Sequence, residues 1–117
     1  MSYAVCDAAE VEAVNGVFRP IRRALGGQAF GINQEEWPAN ADEYPDHDHA
    51  EDGQEEVFYV LEGSGRMVVD GEDVELKPGR YVLVSPDAKR KVHPGDDGLK
   101  LIIVGSPVET PYEPRHR

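Results

Sequence analysis

Basic residues are scarce: 12 Lys and Arg stand against 23 Asp and Glu, so the 117-residue chain carries a net charge of −11. A surface of that sign repels phosphate backbones and anionic headgroups, which argues against a nucleic-acid or membrane partner. Cysteine is nearly absent. Cys6 alone can form neither an internal disulfide nor a cysteine-rich metal site, and its acidic neighbours Asp7 and Glu10 leave it a passive thiol. Long apolar runs are missing as well: Val57 to Leu61 and Leu101 to Val104 are the longest, far below the roughly 20 residues that a spanning helix needs. No basic, apolar leader opens the sequence, so the expected location is the cytoplasm. What remains is 39% hydrophobic, enough to offset chain entropy and build one globular core.

The interior reads as short strands punctuated by turns. Val57 to Leu61 precedes Gly63-Ser-Gly65, Arg66 to Val69 runs into Asp70-Gly71, and Val74 and Leu76 lead to Pro78-Gly79. Asp-Gly suits the positive φ angles of a tight hairpin. Tyr81 to Val84 and Leu99 to Val104 complete a series with no helical period between its members, the pattern of an antiparallel sandwich or barrel. Upstream, Phe18 to Leu25 and Gln28 to Asn33 are two further expected strands, the first placed at an edge by Pro20. Asp7 to Glu10 has capping-box spacing, so a short helix is expected before Asn15-Gly16. The expected organisation is an N-terminal arm over 1–26, a barrel over 27–107 and a proline-rich tail over 108–117.

Chemistry concentrates between Glu35 and Glu56, where ten acidic residues and two histidines, His47 and His49, occur without a Lys or Arg. In an extended segment, residues two apart share a face, so His47 and His49 can present both imidazoles to one ion. Glu56 opens the strand that carries Phe58 and Val60, and its carboxylate is the candidate third ligand. Two neutral imidazoles and a carboxylate leave coordination positions open, as divalent metals such as Fe, Mn, Ni or Zn use them. Taken alone, the His-Asp-His run reads as a solvated surface turn; Glu56 and the strand context favour the metal reading.

His47, His49, Glu56 and Gly63 resemble the first motif of the cupin superfamily, with a spacer about two or three residues longer than usual. Lys77-Pro-Gly79 and the stretch from Gly95 to Gly105 extend that resemblance over Gly27 to Pro107. It implies an all-β double-stranded β-helix, a jelly-roll-like barrel, paired as a homodimer and holding any metal inside near one end. The second motif departs from the family. Its histidine position falls on Arg90 or Lys91, neither of which can ligate a metal, and His93 follows about two or three residues late, reachable only through a register shift.

Two functions follow. In one, a metal-dependent enzyme holds its ion on His47, His49 and Glu56 while Arg90 fixes a small anionic substrate, with Phe58 and Tyr59 assigned to substrate contact. Asp46 and Asp48 are the expected partners of the histidines' second nitrogens, although alternation turns Asp48 outward. In the other, a non-catalytic barrel binds a small ligand or serves a structural role, and Arg90 replaces the metal by pairing with Glu56. Trp37 and Tyr44 are expected to pack against the barrel or border the cavity mouth, and Tyr59 and Tyr81 to divide between core and dimer contact.

Overall fold

The computed structural model describes residues 2–109 and 111–115. Its frame is one antiparallel sheet of six strands: β1 (Phe18–Arg19), β2 (Gly31–Trp37), β3 (Gln54–Val69), β4 (Glu72–Leu76), β5 (Tyr81–Val84) and β6 (Arg90–Pro107). A helix, α1 (Ile21–Leu25), joins β1 to β2, and a 3-10 turn covers Ala8–Glu10. Among the described residues no helix is long and apolar enough to cross a membrane. The expected tail over 108–117 includes Thr110, His116 and Arg117, which lie outside the described residues.

Strands β3 and β6 form the spine, paired from Gln54 with Pro107 to Val69 with Arg90. β2 adds to the far side of β6, with Gly31 opposite Gly105 and Trp37 opposite Leu99. The free side of β3 is shared: β5 pairs with its first half, Glu56 to Tyr59, and β4 with its second, Gly65 to Val69. Side chains from both halves meet in one core, where Phe58 and Val60 join Met67, Leu76, Val84, Val92, Leu101 and Ile103. A flat sheet could not bring these residues together, so the sheet is rolled around them as an all-β jelly roll.

Two irregularities make the roll work. Even-numbered Phe58 and Val60 face the core in the first half of β3, whereas odd-numbered Met67 does so in the second. β3 switches where the register slips between Val60 and Glu62, with Leu61 as the extra residue, and the slip between Gly63 and Gly65 takes up extra residues of β6 between Pro94 and Leu99. Extra residues at a bulge exchange the two faces of a strand. β6 switches likewise, from Arg90 and Val92 facing inward to Leu99, Leu101 and Ile103.

Several expectations change here. Gly63-Ser-Gly65 is a bulge in a continuous 16-residue strand, not a turn between two strands. The strand expected over Phe18 to Leu25 ends after two residues, and a helix begins beyond Pro20. Arg22, Arg23, Ala24 and Leu25 are strong helix formers, and Gly26, at φ 76°, closes their turn by donating its N–H to the Arg22 carbonyl at 2.8 Å. The capping-box helix reduces to the three-residue 3-10 turn, because the Asp7 side chain caps nothing. The Asp70-Gly71 hairpin turn is present, with φ of 48° and 85° at its two central residues.

Candidate functional site

Glu56 is the first inward-facing residue at the start of β3, on the face of Phe58 and Val60. Opposite it stands Gly105, where a Cβ would lie 3.2 Å from the Glu56 Cγ and 2.9 Å from the Gln54 Oε1. Glycine at that position gives the carboxylate its room. The segment before β3 brings in the histidines. His47 exchanges two backbone hydrogen bonds with Arg90, at 3.1 and 2.8 Å, and the His49 N–H donates to the Pro86 carbonyl at 2.8 Å. This extended pairing puts the two imidazoles on one side, 5.1 Å apart between ring centres.

Each imidazole is oriented through Nδ1. His47 Nδ1 lies 2.8 Å from the Pro45 carbonyl oxygen, and His49 Nδ1 lies 3.1 Å from both Asp52 carboxylate oxygens. An acceptor at Nδ1 fixes the proton there and leaves the Nε2 lone pair free, the second contact that metal-ligating histidines require. The partners are therefore Pro45 and Asp52, in place of the Asp46 and Asp48 expected from the sequence. His49 Nε2 points at Glu56 Oε1 across 3.4 Å, and one donor atom from each of His47, His49 and Glu56 lies within 4.8 Å of the others. Glu56 Oε1 is buried and accepts no hydrogen bond among the described residues. An unsatisfied carboxylate oxygen beside two ring nitrogens that have no other partner is a donor set of the kind a divalent cation takes, so it passes a chemical test as a metal site.

Arg90 stands behind this triad. Its side chain is fully buried, its Nη2 donates to the Ser85 carbonyl at 3.1 Å, and its Nε lies 3.9 Å from Glu56 Oε1. That distance is an electrostatic contact without a hydrogen bond, which is why Nε and Nη1 are also unpartnered. Arg90 and Val92 share the inward face, and this resolves the sequence ambiguity: Lys91 points outward and donates to the Asp42 and Tyr44 carbonyls at 3.0 and 2.7 Å. His93, also outward, sits opposite Arg66 on β3, away from the triad.

In front of the triad opens a cavity of about 730 Å³. His47, His49 and Glu56 border it, as do Trp37 and Tyr44, whose rings lie 5.7 Å apart. The three residues assigned to substrate contact do not line it. Arg90 is sealed beneath the sheet, Phe58 is fully buried in the core, and Tyr59 lies on the opposite face against Tyr81, itself 71% exposed. The strand alternation that puts Glu56 in the cavity sends its neighbour Tyr59 out.

One cavity residue went unrecognised. Glu35 is only 9% exposed and accepts a 2.9 Å hydrogen bond from the Trp37 indole. Burial pushes its carboxyl above the ordinary range; the indole hydrogen bond partly offsets this, and the Glu56 charge adds to it. Burial likewise raises the Tyr44 phenol, helped by Glu35 and Glu56 and opposed by Arg90, so Tyr44 is neutral. The signal for Glu35 was present as period-two alternation of Asn33, Glu35 and Trp37, but the acidic run disguised it as solvated surface. A raised carboxyl favours the protonated form, so its stabilising contribution is complete below the ordinary value and is lost as pH rises through the folded-state value. Urea unfolding between about pH 4 and about pH 8 is expected to show Glu35→Gln matching the parent in acid and exceeding it in stability at the alkaline end.

The family comparison agrees with this architecture. Residues 33–105, more than half of the chain, match the family described as cupin domain. Over 54 residues the chain is 35% identical to the uncharacterized protein MJ1618 of Methanocaldococcus jannaschii, a match covering 45% of this chain and 43% of that one. The chain thus matches less than half of that relative's length. A cupin protein from Bacteroides fragilis superimposes with a TM-score of 0.76 at 20% identity, covering 97% of this chain and 92% of that one. A sugar phosphate isomerase from a cupin superfamily, from Silicibacter pomeroyi, gives 0.75 at 21% identity over 87% and 74% of the two chains. With its rolled antiparallel sheet and its His47, His49 and Glu56 triad at the mouth of the barrel, the chain belongs to the cupin domain family.

Proposed function

We propose that this chain is a metal-dependent cupin that holds a divalent cation, Fe, Mn, Ni or Zn, on His47, His49 and Glu56 and receives a small molecule in the adjoining cavity. The observation that carries it is the orientation of both imidazoles through Nδ1 by Pro45 and Asp52, with the His49 Nε2 3.4 Å from an unsatisfied Glu56 oxygen and one His47 nitrogen within 4.8 Å of the cluster. A bound ion would supply Lewis acidity at its open positions. The chain's own part is to fix the ligand atoms, shield one side of the site with the Trp37 and Tyr44 rings, and place Glu35 as a proton-carrying group on the cavity wall. Arg90 does not reach that cavity, so the reason for expecting an anionic substrate falls away.

A second reading has its own support: Arg90 and Glu56 form a buried charge pair at 3.9 Å, consistent with a barrel that binds or assembles without a metal. Elemental analysis of untagged protein purified without chelator separates the two. Near-stoichiometric divalent metal, lost in the His47→Ala/His49→Ala double variant, is the expected result. Metal absent from both proteins would leave the Arg90 and Glu56 pair as the site's organising feature.

A further inference from the structure

The wall of the cavity formed by β2 has a chemistry of its own. Three residues of that strand, Asn33, Glu35 and Trp37, line the cavity, and Tyr44 faces them from the preceding loop of β3. Glu35, nine-tenths buried, has the Trp37 indole on one oxygen, and no other side-chain or backbone group donates to it among the described residues. The Asn33 Oδ1 is buried and accepts nothing. Glu43 and Glu56 line the same space, and among the described residues no Lys or Arg does. The nearby cation, Arg90, is sealed behind Glu56.

We infer that this wall is a recognition site for an organic cation, specifically an ammonium group carried on a small apolar or aromatic body. The count of donors and acceptors decides the class. An ammonium brings three N–H donors and a positive charge to Asn33 Oδ1 and to the Glu35 oxygen that the Trp37 indole leaves free, and it can lie against the electron-rich faces of Trp37 and Tyr44. A neutral hydroxyl brings one donor and no charge, so it satisfies one acceptor of the pair and offers the carboxyl no counter-charge. A carboxylate or phosphate ligand would add a like charge to Glu35 and Glu43. The Trp37 indole, held to Glu35 at 2.9 Å, fixes both the carboxylate and the ring that the cation would meet. The inference deepens the small-molecule reading of the cavity but does not depend on an ion at the triad.

Three nearly isosteric probes test it: 2-phenylethylammonium, 2-phenylethanol and phenylacetate, titrated by calorimetry into the full-length protein as isolated and into the His47→Ala/His49→Ala variant. The ammonium is expected to bind at least about tenfold more tightly than the alcohol in both proteins, and Glu35→Gln is expected to reduce it to the level of the alcohol. Equal affinity for ammonium and alcohol in the parent would overturn the inference without reference to any variant. So would tighter binding of phenylacetate by the protein lacking both histidines, or an ammonium preference that survives Glu35→Gln. Loss of metal from the triad would appear only in the elemental analysis, so the two readings fail separately.

Discussion

Replacing Arg90 with alanine is expected to lower the unfolding free energy by about 3–5 kcal/mol, the usual cost of removing one partner of a buried charge pair. Arg90 is fully buried, and Glu56 is the carboxylate it faces, at 3.9 Å. Without the guanidinium, Glu56 retains the two imidazoles as polar neighbours, His49 at 3.4 Å and His47 within 4.8 Å, and a void the size of an arginine opens under the sheet. A second variant separates charge from volume. Arg90→Met fills much of the void but still strands the carboxylate, whereas Arg90→Met with Glu56→Gln removes both charges and is expected to recover most of the loss, as apolar replacement of buried pairs does. Urea unfolding of the three proteins reads this directly. If Arg90→Met alone matches the parent, the cost is packing and the pair contributes nothing. Metal affinity should move the other way, since a cation beside Glu56 opposes a second cation on the same carboxylate.

The role of this arginine shows what the sequence could and could not convey. His47, His49 and Glu56 were legible because the first two share a face by simple alternation and the third starts a strand whose apolar members fix its direction. The facing of Arg90 against Lys91 was not legible. It depends on how many residues β6 spends in the irregular stretch between Pro94 and Leu99, and glycine at Gly95 and Gly98 is as consistent with a turn as with a bulge. For the same reason β3 and β6 were each read as fragments of their observed lengths. Phe58 and Tyr59, both expected at the ligand, part in the rolled sheet, which sends one into the core and the other outside. Glu35 was missed for a different cause. Ten acidic residues between Glu35 and Glu56 average to a solvated surface, and only tertiary packing reveals that one of them is buried.

The bulge in β3 is also a point where the two spine strands come close enough to exclude any side chain. Gly63→Ala is expected to destabilise the protein by more than about 3 kcal/mol, beyond the range of ordinary surface substitutions. Gly63 has φ 88°, and a Cβ there would overlap the Gly98 carbonyl while lying 2.8 Å from its carbon and 3.0 Å from the Leu99 Cα. All three obstacles are backbone atoms of the paired strand, so no side chain can rotate aside. Gly71→Ala supplies the matched control: φ there is 85°, but nothing lies within 4 Å of the added methyl. It bears only the conformational cost of a left-handed residue, about 1–2 kcal/mol. The difference between the two unfolding free energies isolates the close approach of β3 and β6. Equal losses would mean that the strands part without penalty at Gly63, and that their close approach contributes nothing to the barrel. A large difference would show that the backbones of β3 and β6 must nearly touch at Gly63 for the barrel to close, just beyond the slip between Val60 and Glu62 that lets one strand turn both Glu56 and Met67 inward.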